Sequence, residues 1–434
     1  MAAILGLRRE DKNKWEQRTP IIPDHIKILH DKYGIHSVVQ PSPIRSFMDD
    51  EYKTANASLS EDLSNCQVIF AVKEIPKELF EQNKTYVFFS HVIKGQQYNM
   101  PMLKELMKKQ CTLIDYEKIV DENNRRLIFF GKYAGIAGMV DTLYTLGQRL
   151  KKHQNISNPF ESIKRTYEYP SLKDIKNHIS EIGNLIKTHG LPEEITPLIV
   201  GFAGYGNVSK GAQEINDLFP FIEISPDEIS SVIKKPSNTC VYKVVFKEED
   251  MVQTNDDSHS FNLQEYYEHP ELYHSVFDKY IPYLSILMNC IYWDERYPRL
   301  ITKKQIKEFS SKKELNLQVI GDISVDIGGG IEATAKVTTP DNPSYVYQPQ
   351  SDTITDNMSK DGIAIMAVDN LPCELPKDSS EEFSNALYPF IPAIVKADYS
   401  QSFEDLQLPP EIKNAVILHK GCLTPSFEYI NNYL

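Results

Sequence analysis

The sequence has no C-x-x-C pair, no excess of positive charge and no apolar run near the length of a bilayer crossing. Six cysteines (66, 111, 240, 290, 373 and 422) lie far apart, with no histidine at metal-ligand spacing. That excludes a zinc site or disulfide framework read from spacing and leaves reduced, mostly buried thiols. A formal net charge of -13 argues against binding nucleic acid or an acidic membrane surface through a general basic field. Without a long apolar run, a single-helix membrane span is not expected. Residues 1–7 enter a strand-like run directly, with neither a signal-peptide core nor an Arg/Ser-rich amphipathic leader, so the expectation is a cytoplasmic chain.

What is present fits a soluble α/β protein of 434 residues, 41% hydrophobic and 25% charged, too long for one ordinary core. The organising stretch is Gly201-Phe202-Ala203-Gly204-Tyr205-Gly206-Asn207-Val208-Ser209-Lys210-Gly211-Ala212, preceded by the apolar run 197–200. A buried parallel strand turning tightly into a helix N-terminus is the local structure that holds a dinucleotide pyrophosphate. Gly204 supplies the turn, and Gly206 has no Cβ to keep the backbone off a phosphate. Ser209 stands where the fingerprint has its third small residue, which weakens the match.

Along residues 1 to about 130, strand-like runs at 3–7, 37–40, 66–72, 85–89, 111–114 and 127–130 alternate with helical stretches such as 25–32 and 102–109. This predicts a parallel sheet with helices on both faces and no glycine fingerprint of its own. Apolar spacing predicts a long helix over 134–152 and a second one opening at Ser171, capped with Asp174 and stopped by Gly190 and Pro192. The expected organisation is therefore two Rossmann-like domains with parallel sheets, separated by a cleft and linked by long helices. The first domain takes 1–133 plus about 370–434, the connecting helices 134–189, and the dinucleotide domain 190–369. Residues 244–275, acidic and rich in Tyr and His, read as an insertion in the second domain. After the glycines, the strand at 219–225 ends at Ser225, and a small neutral residue there leaves room for a ribose 2′-phosphate. Gln318–Ile320 leads to Asp322, Ile323 and Ser324 at a strand end, with Gly328-Gly329-Gly330 beyond. In the tail, a helix is expected from Ser379 or Ser380, ended by Pro389 and Pro392.

Four groups in the first domain carry chemistry: Arg18 after the first strand, Lys73 after the third, His91 (with Gln96) after the fourth, and Glu117 after the fifth, followed by Arg126. Each alone is as readily a solvated or capping side chain. In a parallel sheet, however, strand carboxyl ends share one edge, where two cations, a carboxylate and an imidazole suit a zwitterionic, multiply carboxylated substrate.

These segments also resemble a known family. Leu7-Arg8-Arg9-Glu10-Asp11-Lys12-Asn13-Lys14-Trp15-Glu16-Gln17-Arg18-Thr19-Pro20, Phe88-Phe89-Ser90-His91-Val92-Ile93-Lys94-Gly95-Gln96, Leu113-Ile114-Asp115-Tyr116-Glu117-Lys118, the glycine stretch, Asn289-Cys290-Ile291-Tyr292-Trp293 and Asp369-Asn370-Leu371-Pro372 are similar, in order, to the lysine-ketoglutarate reductase half of aminoadipic semialdehyde synthase. The wider superfamily includes alanine dehydrogenase, the transhydrogenase nucleotide-binding subunit and the lysine-forming saccharopine dehydrogenases. The resemblance implies NADPH-dependent condensation of L-lysine with 2-oxoglutarate to saccharopine. It implies Lys73 and His91 as the acid/base pair, and Arg18, Gln96, Glu117, Arg126 and Phe130 around the substrate. Gly204, Tyr205, Gly206, Asn207, Val208, Ser225, Asp322, Ile323 and Ser324 would line the cofactor. NAD-linked relatives carry an aspartate near Ser225, so its absence favours NADP(H). No metal is implied. The protein-level alternatives are self-association or association with a separate saccharopine dehydrogenase. The rival readings are an NAD-dependent, lysine-forming saccharopine dehydrogenase and a catalytically silent lysine or nucleotide sensor.

Overall fold

The computed structural model describes residues 3–256 and 259–434. The chain divides into two compact units, one running to Phe130 and resuming over Pro376–Leu434, the other covering Gly131–Leu375.

In the first unit an eight-stranded sheet contains β1 (Ile4–Leu7), β2 (His36–Val39), β3 (Ser58–Leu59), β4 (Val68–Phe70), β5 (Thr85–Phe88) and β6 (Thr112–Asp115). The tail adds β17 (Val416–His419) and β18 (Cys422–Leu423), giving the order β18-β17-β6-β5-β4-β1-β2-β3. β1 to β6 pair in parallel, whereas β17 and β18 are antiparallel additions, so the all-parallel expectation is corrected at this edge. β4, β5 and β6 are buried along their whole length, as expected of strands covered on both faces. The strand expected at 127–130 does not form. Ile128 is core, and Phe130 stacks on Phe383 of the tail with ring centroids 4.5 Å apart, a contact that needs a side chain but no ladder. The tail helix begins at Pro376, three residues before the expected start. Proline at the first position suits a helix N-terminus. The serines are not caps: the Ser380 hydroxyl donates to the Pro376 carbonyl (2.6 Å) and accepts from the Thr19 amide (2.9 Å).

The second unit holds β7 (Ile199–Ala203), β8 (Phe221–Glu223), β9 (Val241–Phe246), β12 (Ile286–Asn289), β13 (Val319–Asp322), β14 (Ser344–Gln348), β15 (Thr353–Thr355) and β16 (Ile363–Met366). They are ordered β15-β14-β16-β13-β12-β7-β9-β8, and β14 and β15 run antiparallel. The excursion expected at 244–275 begins only after β9, because Val244, Val245 and Phe246 are ladder residues. It carries the small hairpin of β10 (Val252–Thr254) and β11 (Tyr273–Ser275) and returns at β12. The helices expected as connectors, Gly131–Arg149 and Leu172–His189, are core elements of this unit. Ser171 caps the latter by accepting from the Asp174 amide, and Gly190 ends it at φ +79°. Among the described residues, no helix is long and apolar enough to cross a membrane.

Candidate active site

The first unit gathers charge at the carboxyl ends of β1, β4, β5 and β6. Backbone pairing of β1 with β4 ends where the Arg8 amide donates to the Phe70 carbonyl (2.9 Å). Beyond it, the carboxylate of Glu10 accepts the amides of Val72 (2.7 Å) and Lys73 (3.0 Å). Lys73 is half-buried, and burial, reinforced by the positive charge of Arg18, lowers its amine pKa below the usual lysine value.

Next in the chain, Glu74 accepts from His91 Nδ1 at 2.6 Å and pairs with Lys12 Nζ at 3.0 Å. Burial opposes its ionisation, but His91 and Lys12 outweigh that and hold its carboxyl well below the usual range. His91 has φ +49°, an uncommon conformation for a non-glycine residue, and Asn99 Nδ2 holds its carbonyl at 3.2 Å. The ring lies parallel to Phe89, 6.1 Å away. At the neighbouring strand end, buried Asp115 accepts the Ser90 amide (3.0 Å) and hydroxyl, tying β6 to the turn that carries His91. The segment Pro425–Tyr433 packs behind this turn, with Tyr429 Oη donating to the Ile93 carbonyl at 2.7 Å. Gly95, at φ +68°, admits no Cβ, since one would lie 2.4 Å from the Tyr433 ring.

Arg18 differs from expectation in its partners. Its Nε and one terminal nitrogen clasp Glu16 at 2.7 and 2.6 Å with both side chains buried, and its guanidinium lies 4.2 Å over the Phe130 ring. The fork is therefore oriented by a protein carboxylate before any ligand carboxylate arrives. Gln96 Oε1 caps the amide of Lys94 at 3.1 Å, while Glu117 pairs with the half-exposed Arg126. Glu74 is the functional candidate that spacing did not supply, while Asp115 stood beside Glu117 at a strand end without a role of its own. The available signal was a carboxylate directly after the lysine and another ending a strand.

In the second unit the glycine turn takes the expected form. Gly204 is at φ +91°, and Gly206 is the N-cap of the Asn207–Asn216 helix, with nothing within 4 Å of where a Cβ would stand. The amides of Asn207 and Val208 open that helix. Ser209 is buried and accepts from Gln213, and the close packing expected of a third glycine comes from another pair. A Cβ on Gly211 would lie 2.0 Å from the Lys132 carbonyl oxygen, and one on Gly135 would lie 1.8 Å from that of Val208. Tyr205, exposed at the tip, interacts with Glu248, which also accepts from Tyr267 Oη at 2.8 Å.

Ser225 donates its amide (2.8 Å) and hydroxyl (3.0 Å) to the carboxylate of Glu228, while Glu223 pairs with Lys243 at 2.9 Å. Asp322 is buried, accepting Asn289 Nδ2 (2.8 Å), the Thr334 hydroxyl (2.5 Å) and the Val325 amide (3.3 Å). Ile323 fills the space beside Gly138, and Ser324 Oγ donates to the Ile291 carbonyl at 2.5 Å. All three residues thus fix the shape of a loop at the strand ends. Val325 inside that loop sits at φ +53°, a strained conformation for a β-branched residue that Asp322 helps hold.

Comparison with known proteins agrees with this architecture. Residues 6–137 match the family model "Alanine dehydrogenase/PNT, N-terminal domain", and residues 276–426 match its C-terminal domain. Alpha-aminoadipic semialdehyde synthase of Arabidopsis thaliana is 40% identical over 98% of this chain, which spans 41% of that protein's length. Saccharopine dehydrogenase [NAD(+), L-lysine-forming] of Yarrowia lipolytica is more distant, at 25% identity over 91% of this chain and 93% of its own. Among solved structures, an L-alanine dehydrogenase superposes with a TM-score of 0.63 at 15% identity, covering 99% of this chain and 100% of its own. The chain belongs to the alanine dehydrogenase/PNT family.

Proposed function

We propose that the protein joins L-lysine to 2-oxoglutarate and reduces the product to saccharopine with NADPH. The observation that carries this reading is the half-buried Lys73 beside a Glu74–His91 pair at the sheet edge. It stands in a chain more similar to an aminoadipic semialdehyde synthase than to a lysine-forming dehydrogenase. The overall balance is lysine, 2-oxoglutarate, NADPH and a proton giving saccharopine, NADP⁺ and water.

In the first unit, Lys73 with its lowered pKa accepts the proton that the lysine ε-amine must lose before it attacks the ketone carbon. A protonated Lys73 or His91 then delivers a proton to the carbinolamine oxygen, so that water leaves and the carbon–nitrogen double bond forms. Glu74 holds Nδ1 of His91, fixing the ring so that Nε2 is the atom available to substrate. Arg18, oriented by Glu16 and Phe130, and Arg126 are assigned to substrate carboxylates, with Gln96, Glu117 and Phe130 completing the lining.

The dinucleotide is assigned to the second unit. The open ground over Gly206 and the amides of Asn207 and Val208 fit a pyrophosphate, which a side chain at 206 would obstruct. NADPH, when bound, supplies the hydride that reduces the imine carbon. Its 2′-phosphate would take the place of Glu228 on the Ser225 amide and hydroxyl, which already hold an anion. Tyr205 and the Asp322–Ser324 loop are assigned to the same ligand. The test is oxidation of NADPH by the purified protein, with lysine and 2-oxoglutarate omitted in turn and NADH run in parallel. Turnover that needs both substrates is expected. Turnover without either one, preference for NADH, or none at all would overturn the reading.

A further inference from the structure

The Glu10 carboxylate occupies a place normally held by backbone. β1 and β4 pair in parallel up to Leu7 and Phe70, and the Arg8 amide makes the last rung. There the chains part: the Ala71 amide donates to the Val87 carbonyl of β5 (3.1 Å), and the amides of Val72 and Lys73 need acceptors from outside β1. Glu10 provides both: one oxygen takes Val72 and the other takes Lys73. From the opposite side, the Val72 carbonyl accepts the Phe89 amide at 3.1 Å. Residue 72 is thereby held from both neighbouring strand ends, and residue 73 hangs from the Glu10 clamp.

We propose that Glu10 is a positioning residue for proton transfer, fixing the peptide from which the Lys73 side chain departs. The inference rests on the assignment of Lys73 to proton transfer made above. Two amide donors side by side require two acceptor lone-pair sites in a fixed spacing, which an ionised carboxylate offers and a carboxamide does not. In glutamine, one terminal atom is a donor and would face an amide N–H. Glu10 is buried, so water is not there to substitute.

The clamp also has a pH dependence. The groups facing Glu10 are Arg8 and Glu16 from its own loop, the amides of Val72 and Lys73 from the β4 side, and Tyr116 from beyond β6. Burial first, then the charge of Glu16, pushes the Glu10 carboxyl up to about 7, with the two amides and Arg8 opposing. Below that pH it gains a proton, one oxygen becomes a donor, and the grip on the two amides loosens. Part of the fall in kcat on the acid side of neutrality is therefore assigned to Glu10 and not to a group touching substrate.

The test compares wild type with Glu10→Gln and Glu10→Asp as full chains, from below to above neutral pH. Glu10→Gln should lower kcat roughly 10- to 100-fold, the scale of a small misplacement of a reacting group, with the KM for NADPH within about twofold. The kcat profile of Glu10→Gln should also lose the acid-side fall centred near 7. Glu10→Asp, which keeps the charge but not the reach, should lower kcat while retaining that fall. Unchanged kcat in Glu10→Gln, or a reduced kcat whose profile keeps the wild-type shape, overturns the inference. Lys73→Met made alongside separates the two layers. Full activity there removes the proton-transfer assignment and this inference with it. Loss there, with Glu10→Gln unaffected, overturns the clamp alone.

Discussion

The two eight-stranded sheets end differently. At the carboxyl edge of the first, the side chains are charged and hold one another: Glu10 on two amides, Glu74 between His91 and Lys12, Glu16 on Arg18. At the same edge of the second, the chain offers an open glycine turn and a buried network of Asn289, Asp322 and Thr334. One edge sets protonation states, because burial and close charges shift pKa values; the other leaves room, because glycine removes side chains from the path of a ligand. If this contrast reflects function, substitutions at the first edge should alter turnover, and those at the second should alter nucleotide binding or stability.

The largest expected effect breaks the comparison most directly. Lys73→Met and His91→Gln should each lower kcat by about 10²–10⁴-fold, the usual worth of a positioned acid or base, while NADPH affinity measured by nicotinamide fluorescence stays unchanged. A parallel loss of NADPH affinity would mean that the first edge is not a separate chemical site.

Next in size is the crossing of the helices under the glycine turn. Gly135→Ala places a methyl 1.8 Å from the Val208 carbonyl oxygen, and both contacts are backbone, so neither side can swing away. A destabilisation at the upper end of the ~1–3 kcal/mol found for overpacked cores is expected, read as a lowered Tm with weakened NADPH binding. An unchanged Tm would show that the helices slide apart without cost.

Much of this contrast was legible from the amino-acid order, and the reasons for the rest are physical. Most of the parallel strands were readable because each is a short, largely apolar run, and the glycine turn because its conformations demand glycine; β3, only two residues long, and β9, interrupted by Lys243, were not read as strands. β14, β15 and β17 went unrecognised because antiparallel additions at a sheet edge are defined by their partners and not by a period. Leu127–Phe130 was read as a strand because it is apolar, yet Phe130 is fixed by Phe383, a residue far away in the chain. Lys73 and His91 could be picked out by their place after strands. The carboxylates that control them could not, since Glu74 meets His91, and Glu10 meets Lys73, only once separate strands lie side by side.

A third test sharpens the comparison inside the second unit, where one charged pair is buried away from the strand ends. Asp141 accepts from the Thr166 amide and hydroxyl through one oxygen (2.8 and 3.0 Å). Its other oxygen faces Glu374, whose carboxyl also receives the Tyr167 amide. Sharing one proton avoids two bare charges in contact. Burial, with the neighbouring carboxylate, raises Glu374 well above its usual value, and burial raises Asp141 to about 6. Both are raised carboxyls, so the stability their retained protons provide is full below the unfolded value near 4 and is lost as pH rises through the folded values. Glu374→Gln keeps a donor toward Asp141 but has no proton to lose. It should stabilise the protein by about 1–2 kcal/mol at neutral pH and by almost nothing near pH 4. Tm difference measured against pH checks this, and a flat difference would mean the two carboxyls do not share a proton.

The smallest effect concerns the nucleotide's ribose end. Glu228 is exposed and held below the usual carboxylate range by the Ser225 amide and then its hydroxyl, so it is ionised at neutral pH. A 2′-phosphate must displace a negative group from two donors, and a ribose hydroxyl need not. Glu228→Gln removes the competing charge but leaves Ser225 intact. The KM for NADPH should fall by about two- to fivefold, since interactions between exposed charges are weak and screened by solvent, and the gain should shrink as salt is raised. The KM for NADH should not move, and kcat should stay constant because proton transfer is assigned to the other sheet. An equal improvement for both nucleotides would place Glu228 against a phosphate they share, and a change in kcat would make the two edges one site in energetic terms.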